Sequence, residues 1–365
     1  MIIEVAKKRM INRRKTRQIY VGNIAIGGGS PISVQSMTKT DTRDIDATVN
    51  QILSLESVGC EIVRIAVPDM DAAHAIGKIK SKISDFGSKI PIIADIHFDW
   101  RLALESIKQG VEGLRLNPGN IGAKWKVKEI VSAAKEKGIP IRIGVNAGSL
   151  EKELLEKYGQ PLAEALVESA ERHIRILEDL DFQDIKVSLK ASNVLKTIEA
   201  YRLFSDRYDY PLHIGISEAG PSIGGIVKSA VGLGILLYEG IGDTVRVSLT
   251  AEPEEEVRVA YEILKSLGLR KKGPDIISCP TCGRCQIDLR SLALRVEEAI
   301  RDIDKPFTVA VMGCVVNGPG EAREADFGIA GGKGIGLVFK KGKVVKKAKD
   351  EELLDILTEL VKSEQ

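Results

Sequence analysis

Cys279, Cys282 and Cys285 fall on one Pro/Gly-rich run, C-P-T-C-G-R-C, and Cys314 follows in M-G-C-V-V-N-G-P-G-E, Met312 to Glu321. Four of the chain's five cysteines therefore crowd its last quarter. Thiolates select zinc, Cu(I) or iron-sulfur clusters over hard cations, and a C-x-x-C turn can present two of them to one metal centre. Three other uses of these thiols compete. A disulfide framework does not fit one corner of a long chain whose N-terminus reads as no secretory leader. Structural zinc needs four cysteines, or three and a histidine; no histidine follows His213, so zinc would take Cys279, Cys282, Cys285 and Cys314 together. Inert buried thiols are disfavoured by three cysteines on one polar turn, whereas Cys60, inside an apolar strand pattern, reads as core. The C-x-x-C-x-x-C spacing echoes a bacterial ferredoxin run without the proline that normally follows its last cysteine. Cys314 lies instead in a glycine-bracketed turn after F-T-V-A-V-M, with Pro319 later in the same loop, which predicts a cluster bridging two loops.

A second kind of chemistry recurs upstream. Arginine stands between two aliphatic residues in V-R-I (Arg64), L-R-L (Arg115), I-R-I (Arg142) and V-R-V (Arg246), and Lys186 repeats the pattern in I-K-V. A buried guanidinium needs an anionic partner. Asp95, Asp243 or Glu218 could satisfy any one of them; five cations at equivalent strand positions point to a polyanionic ligand, since arginine forks match phosphate oxygens bidentately. Polar residues cluster beside or just beyond the same apolar runs: Gln35 and Ser36, Asp95 and His97, Asn117 and Asn120, Asn146 and Ser149, Ser188 and Lys190, Glu218, and Ser248. Glycines accompany many of them, letting backbone N–H groups approach an anion. Glu218 reads either as an acid/base or as a salt-bridge partner. His74 and His173 sit in helical patterns and read as surface residues, and no triad of nucleophile, base and orienter stands out.

Elements must carry these residues to one place. Eight β-branched runs alternate with helix-patterned segments between residues 31 and 268: P-I-S-V-Q-S, E-I-V-R-I-A-V, P-I-I-A-D-I, G-L-R-L-N, P-I-R-I-G-V, I-K-V-S-L-K, L-H-I-G-I-S and T-V-R-V-S-L. Eight strands with intervening helices in about 240 residues predict a (β/α)8 TIM barrel, with a doubly wound open sheet as the alternative. The polar residues would then line the C-terminal rim, where such barrels keep their chemistry. Gly27 to Gly29 precede a strand, not a helix, and read as a hairpin turn and not a phosphate cradle. After Gly268, L-R-K-K-G-P-D breaks the pattern, which divides the chain into 1–268 and 269–365. The second part reads as a small α/β unit: the cysteine loop, a helix from Leu289 to Ile303, the strand before Cys314, the hairpin G-L-V-F-K-K-G-K-V-V, and a helix from Glu351 to Lys362.

Composition narrows the function classes. A net charge of +2 and 4% aromatics exclude a globally basic binder with stacking platforms, so no nucleic-acid partner is expected. No apolar run approaches a membrane span. Free thiols and an N-terminus that leads into no signal-peptide apolar region suit a cytoplasmic location, and the basic stretch from Lys7 to Arg17 reads as a solvated face.

Taken in order, V-Q-S-M-T, L-R-L-N-P-G-N-I-G, I-R-I-G-V-N-A-G-S-L, K-V-S-L-K-A-S, H-I-G-I-S-E-A-G, C-P-T-C-G-R and G-C-V-V-N-G-P-G-E cover essentially the full chain. Together they resemble the bacterial 4-hydroxy-3-methylbut-2-enyl diphosphate synthase family. That resemblance implies a TIM barrel followed by a small [4Fe-4S] domain like a sulfite-reductase module. It also implies reductive opening and dehydration of 2-C-methyl-D-erythritol 2,4-cyclodiphosphate, on the methylerythritol phosphate route to isoprenoids. The family's cluster ligands match Cys279, Cys282, Cys314 and Glu321, where spacing alone favours four cysteines; Cys285 departs from the family's usual pattern. Arg64, Asp95, His97, Arg115, Asn117, Arg142, Asn146, Ser188, Lys190, Arg246 and Ser248 become the candidate substrate-binding residues. Among them Arg115, Arg142 and Lys190 would neutralise the diphosphate, and Glu218 would protonate or orient the leaving hydroxyl. The family further implies flavodoxin or ferredoxin as electron donor, and a homodimer whose cluster domain covers the partner's barrel. A linker of about seven residues, spanning at most about 25 Å, suits that exchange. A non-redox phosphosugar- or pterin-type barrel with a structural zinc domain is the competing reading; it would leave the cysteines without a chemical role.

Overall fold

Eight runs rich in Val, Ile and Leu pair side by side in parallel, each covered on both faces. After a hairpin of β1 (Gln18–Val21) and β2 (Ile24–Gly27), they are β3 (Ser33–Met37), β4 (Ile62–Ala66), β5 (Ile92–Asp95), β6 (Gly113–Arg115), β7 (Ile141–Asn146), β8 (Ile185–Lys190), β9 (His213–Ile214) and β10 (Thr244–Val245). The computed structural model describes residues 11–314, Gly320 and 323–364. The sheet order β8-β7-β6-β5-β4-β3-β10-β9 is closed by the bridge between Val187 and Leu212, so the sheet is a barrel and the doubly wound alternative falls. All eight expected runs supply a barrel strand.

Helices α1 (Ile45–Ser57), α2 (Met70–Asp85), α3 (Trp100–Lys108), α4 (Pro118–Ile121), α5 (Lys124–Lys137), α6 (Lys152–Tyr158), α7 (Ala163–Glu178), α8 (Val194–Arg207), α9 (Ser222–Tyr238) and α10 (Pro253–Ser266) fall between and after the strands. Asp44, Asp69, Asp99 and Asn193 start α1, α2, α3 and α8 by accepting a backbone N–H of the first turn. The helices' apolar stripes meet Ile185, Val187, Leu189 and their counterparts, forming one core between strands and helices.

The residues alternating with these point into the lumen. Cross-strand partners share a face, and the register runs Asp95, Arg115, Arg142, Lys186 across β5 to β8. The lumen's lower end is apolar: Ile19, Val21 and Ile26 of the β1–β2 hairpin pack on Ile62 and Ile93. Gly27 to Gly29 end that hairpin's second strand and do not make its turn, which falls at Gly22 and Asn23.

The chain divides into two compact units between Arg270 and Lys271. In the second unit β11 (Pro274–Ser278), β12 (Phe307–Met312), β13 (Phe327–Ala330), β14 (Ile335–Lys340) and β15 (Lys343–Lys349) form one sheet in that order. The first three are parallel and the last two complete an antiparallel hairpin. Strand β11 was hidden by its Gly-Pro start, a breaker in most contexts but tolerated at the first residue of an edge strand. Helices α11 (Leu289–Ile300) and α12 (Leu353–Lys362) cover one face, packing on Val309, Val311, Ile329 and Val338. No described helix is long and apolar enough to cross a membrane.

Candidate active site

The C-terminal ends of the barrel strands surround a cleft of about 360 Å³. Its lining includes Arg64, Asp95, His97, Arg115, Arg142, Asn146, Ser188, Lys190, Glu218, Arg246 and Ser248, brought together from seven of the eight strands or the loops just after them. Of the expected binding residues only Asn117 stays outside. Its amide donates to the Gly144 carbonyl at 3.1 Å and accepts the Gly144 N–H at 2.8 Å, so both polar ends brace β7 and none faces a ligand.

Two buried carboxylates order the cations. Asp95 accepts from Arg115 Nη1 at 3.2 Å and lies 3.6 Å from Arg64 Nε, with the half-exposed His97 beside it. Burial raises the Asp95 carboxyl, but Arg64, His97 and Arg115 overcome that and hold it well below the usual carboxylate range. The second, Glu256, escaped the sequence reading because E-E-E at the start of α10 looks like a solvated first turn. It is buried, accepts the Leu249 N–H at 3.0 Å, and pairs with Lys39 at 3.3 Å and Arg246 at 3.9 Å.

The balance remains positive. Six cationic side chains line the cleft, Lys39, Arg64, Arg115, Arg142, Lys190 and Arg246, against the carboxylates of Asp95, Glu218 and Glu256. Burial first, and neighbouring cations second, push Arg142 and Lys190 well below their usual ranges. Arg142 gives one N–H to Ser188 Oγ at 3.0 Å, while its Nε and Nη2 are buried with no partner among the described residues. Among the described residues no hydrogen bond or ion pair engages the side chain of Lys190 or Glu218. Such crowding is costly unless an anion completes it.

Two glycines make room for this charge. A Cβ on Gly144 would lie 2.7 Å from Arg115 Nε, and one on Gly215 would meet Lys190 Nζ at 2.6 Å and the Arg246 carbonyl at 2.4 Å. Glu218 is exposed at the cleft and adopts φ 51°, a left-handed conformation that a non-glycine residue rarely holds without a reason. Deeper in the lumen, Lys186 Nζ, both ring nitrogens of His213 and the Gln35 amide are buried without partners among the described residues. His173, expected on the surface, is buried: it accepts the Gly119 N–H at 3.1 Å and faces Glu151 at 3.3 Å.

In the second unit Cys279 directly follows β11, and Cys314 follows β12 after Gly313, so the two leave adjacent parallel strands at the same end. The loops are joined there: Gln286 N–H donates to the Gly313 carbonyl at 2.9 Å, and Gly313 N–H donates to Cys279 Sγ at 3.3 Å. Cys282 is exposed between them, and all four thiols are free. These soft donors, with a sulfur already accepting a backbone N–H, suit an iron-sulfur cluster. Among the described residues they do not close into a cage of three or more ligating side chains, and Glu321 lies outside the described residues.

Comparison with known proteins agrees with this two-part layout. Residues 16–261 match the GcpE TIM-barrel domain and residues 275–363 the GcpE protein C-terminal domain. The chain is 65% identical to the 4-hydroxy-3-methylbut-2-en-1-yl diphosphate synthase (flavodoxin) of Thermodesulfovibrio yellowstonii, over 97% of this chain and 100% of that one. It is 63% identical to the enzyme of the same name from Geobacter sulfurreducens, over 94% and 96% of the two chains.

Proposed function

The chain belongs to the GcpE family of 4-hydroxy-3-methylbut-2-en-1-yl diphosphate synthases, and from that premise we propose which of its residues carry the reaction. The enzyme converts 2-C-methyl-D-erythritol 2,4-cyclodiphosphate to 4-hydroxy-3-methylbut-2-enyl diphosphate, a two-electron reductive ring opening with loss of water. The observation that carries the assignment of residues is the surplus of buried cations at the barrel mouth, which a cyclic diphosphate would neutralise.

Arg142 turns its unpartnered guanidinium edge to the diphosphate, and Lys190, Arg246 and Arg64 complete the cradle. Arg115, fixed by Asp95 and the Gly144 carbonyl, presents its charge from a rigid position. Asn146, Ser188, Ser248 and His97 supply hydrogen bonds around the ring. Glu218 gives a proton to the hydroxyl that leaves as water, or orients it, from its free position at the rim. A [4Fe-4S] cluster held by Cys279, Cys282, Cys314 and Glu321 would supply electrons one at a time and a Lewis-acidic iron. Flavodoxin is the electron donor that the relatives' names indicate. The resemblance implies a homodimer that shares its sites between subunits, and the free thiols suit the reducing cytoplasm.

Anaerobically purified protein should be brown and should turn over the cyclic diphosphate with an artificial reductant; a colourless zinc protein without turnover would overturn the reading. In the same assay Arg142→Ala should keep its iron and lose substrate affinity by about 2–5 kcal/mol. Removing one of several crowded cations does not threaten folding, so unchanged affinity would refute the anion cradle.

A further inference from the structure

From Phe327 to Lys349 the sequence carries seven lysines and no carboxylate, on the unit that also holds the cysteines. Most of this stretch is β14 and the edge strand β15. Of the seven, Lys340 pairs with Glu364, and among the described residues no ion pair engages the others. The two carboxylates that flank the stretch hold backbone N–H groups: Asp350 accepts from Gly332 and Gly334, and Asp326 from Thr308.

The strand lysines divide between the two faces of the hairpin, with Lys340, Lys343 and Lys346 on the helix side. Ala348 and Val338 face the helices, so their neighbours Lys347 and Lys349 face the other way, opposite Leu337 and Ile335. Ile335, 61% exposed and opposite Lys349, and Val344, half exposed and opposite Phe339, put exposed aliphatic surface on the same face as Lys347 and Lys349. Its position follows from the strand directions. Strands β12 and β13 run parallel, and Gly331 N–H binds the Met312 carbonyl at 2.8 Å, so the Lys333 loop lies at the end of the sheet where Cys314 leaves. Lys349, opposite Ile335, lies at that same end, three strand spacings or about 15 Å from β12.

We infer that this edge of the cluster domain is the docking surface for an acidic electron-donor protein. The inference rests on the functional reading above, which requires such a donor, and adds where it binds. A cationic surface of this kind steers an acidic protein and fixes its orientation, while a few exposed aliphatics beside the lysines suit a brief encounter. Lysines on an edge strand also discourage edge-to-edge pairing. That role alone explains neither the lysine in the loop after β13 nor the exposed Ile335.

The test uses the complete, cluster-loaded enzyme and a bacterial flavodoxin. In wild type, the calorimetric Kd for oxidised flavodoxin should weaken steeply with added salt. The double variant Lys347→Glu, Lys349→Glu should weaken it about tenfold and raise the flavodoxin KM in proportion. Dithionite-driven turnover of the cyclic diphosphate should stay at the wild-type level, because neither lysine belongs to the barrel cleft or the cysteine loops. Should the charge reversals disturb iron content, Lys347→Gln, Lys349→Gln should show the same direction at smaller size. An unchanged Kd and KM in iron-replete variants would overturn the docking surface and leave the lysines as edge protection. Unchanged donor binding combined with loss of binding to an RNA oligonucleotide would also overturn it, reassigning the patch to nucleic acid. Absence of dithionite-driven turnover in wild type would instead strike the functional reading, since donor binding is measured without it.

Discussion

Cys285 separates what spacing suggests from what side-chain surroundings allow. By spacing it completes C-x-x-C-x-x-C and is the softer fourth donor for iron. In the fold its thiol donates to the Ile287 carbonyl at 3.3 Å, and it sits so close to Gly313 that a Cβ there would come within 2.4 Å of the sulfur. These contacts support a packing role for Cys285 between the two loops. Cys279, by contrast, accepts an N–H, as a ligating thiolate does. A carboxylate ligand also leaves one iron open to exchange, which four thiolates would not. Cys285→Ser should therefore retain full iron and turnover within about twofold, while Glu321→Gln should lower turnover by about 10–100-fold or more and alter the cluster's spectrum. Iron analysis and spectroscopy of the two purified variants decide it; cluster loss in Cys285→Ser with a normal Glu321→Gln would make Cys285 the ligand.

The barrel strands show what charge in a lumen costs. Most barrels fill this space with branched aliphatics, whereas here Lys186 stands in register with Arg142, near His213, with no partner for its ammonium. Burial first, then Arg142, outweigh the opposing pull of Asp243, and with a smaller push from Arg64 they bring Lys186 from 10.5 to about 7. Between those values the unfolded chain holds a proton that the folded barrel does not, so stability rises as pH increases from about 7 toward 10. Below about 7 both states are protonated and the whole penalty is present. Lys186→Met should thus raise unfolding free energy near neutral pH by on the order of 1–4 kcal/mol. It should also flatten the rise in Tm between pH 7 and 10 relative to wild type. Parallel Tm profiles for the two proteins, measured by calorimetry, would show that Lys186 is not carrying that cost.

At the scale of the whole molecule, a cluster domain serving the partner's barrel makes a prediction that single-chain catalysis does not. Glu218→Ala and Cys279→Ser should each be inactive alone. Mixed with subunit exchange in equal amounts, they should recover about a quarter of wild-type activity, since half the dimers carry one intact pair of halves. No recovery, with exchange verified by mass, would place both halves of the site within one chain. The order of strands and helices and the barrel architecture were legible in the sequence because alternation, caps and turn residues act between near neighbours. The V-R-I, L-R-L, I-R-I and I-K-V runs likewise announced charge on one strand face; periodicity cannot say which face becomes the lumen. Barrel closure alone decided that, and with it the roles no local pattern records. Glu256 reaches Ser36 from 220 residues away to balance Arg246 and Lys39, Asn117 is spent on the Gly144 backbone, and His173 is buried under α4. Each depends on which distant side chains the closed sheet brings within hydrogen-bonding distance, a property of the assembled barrel and not of any segment in it.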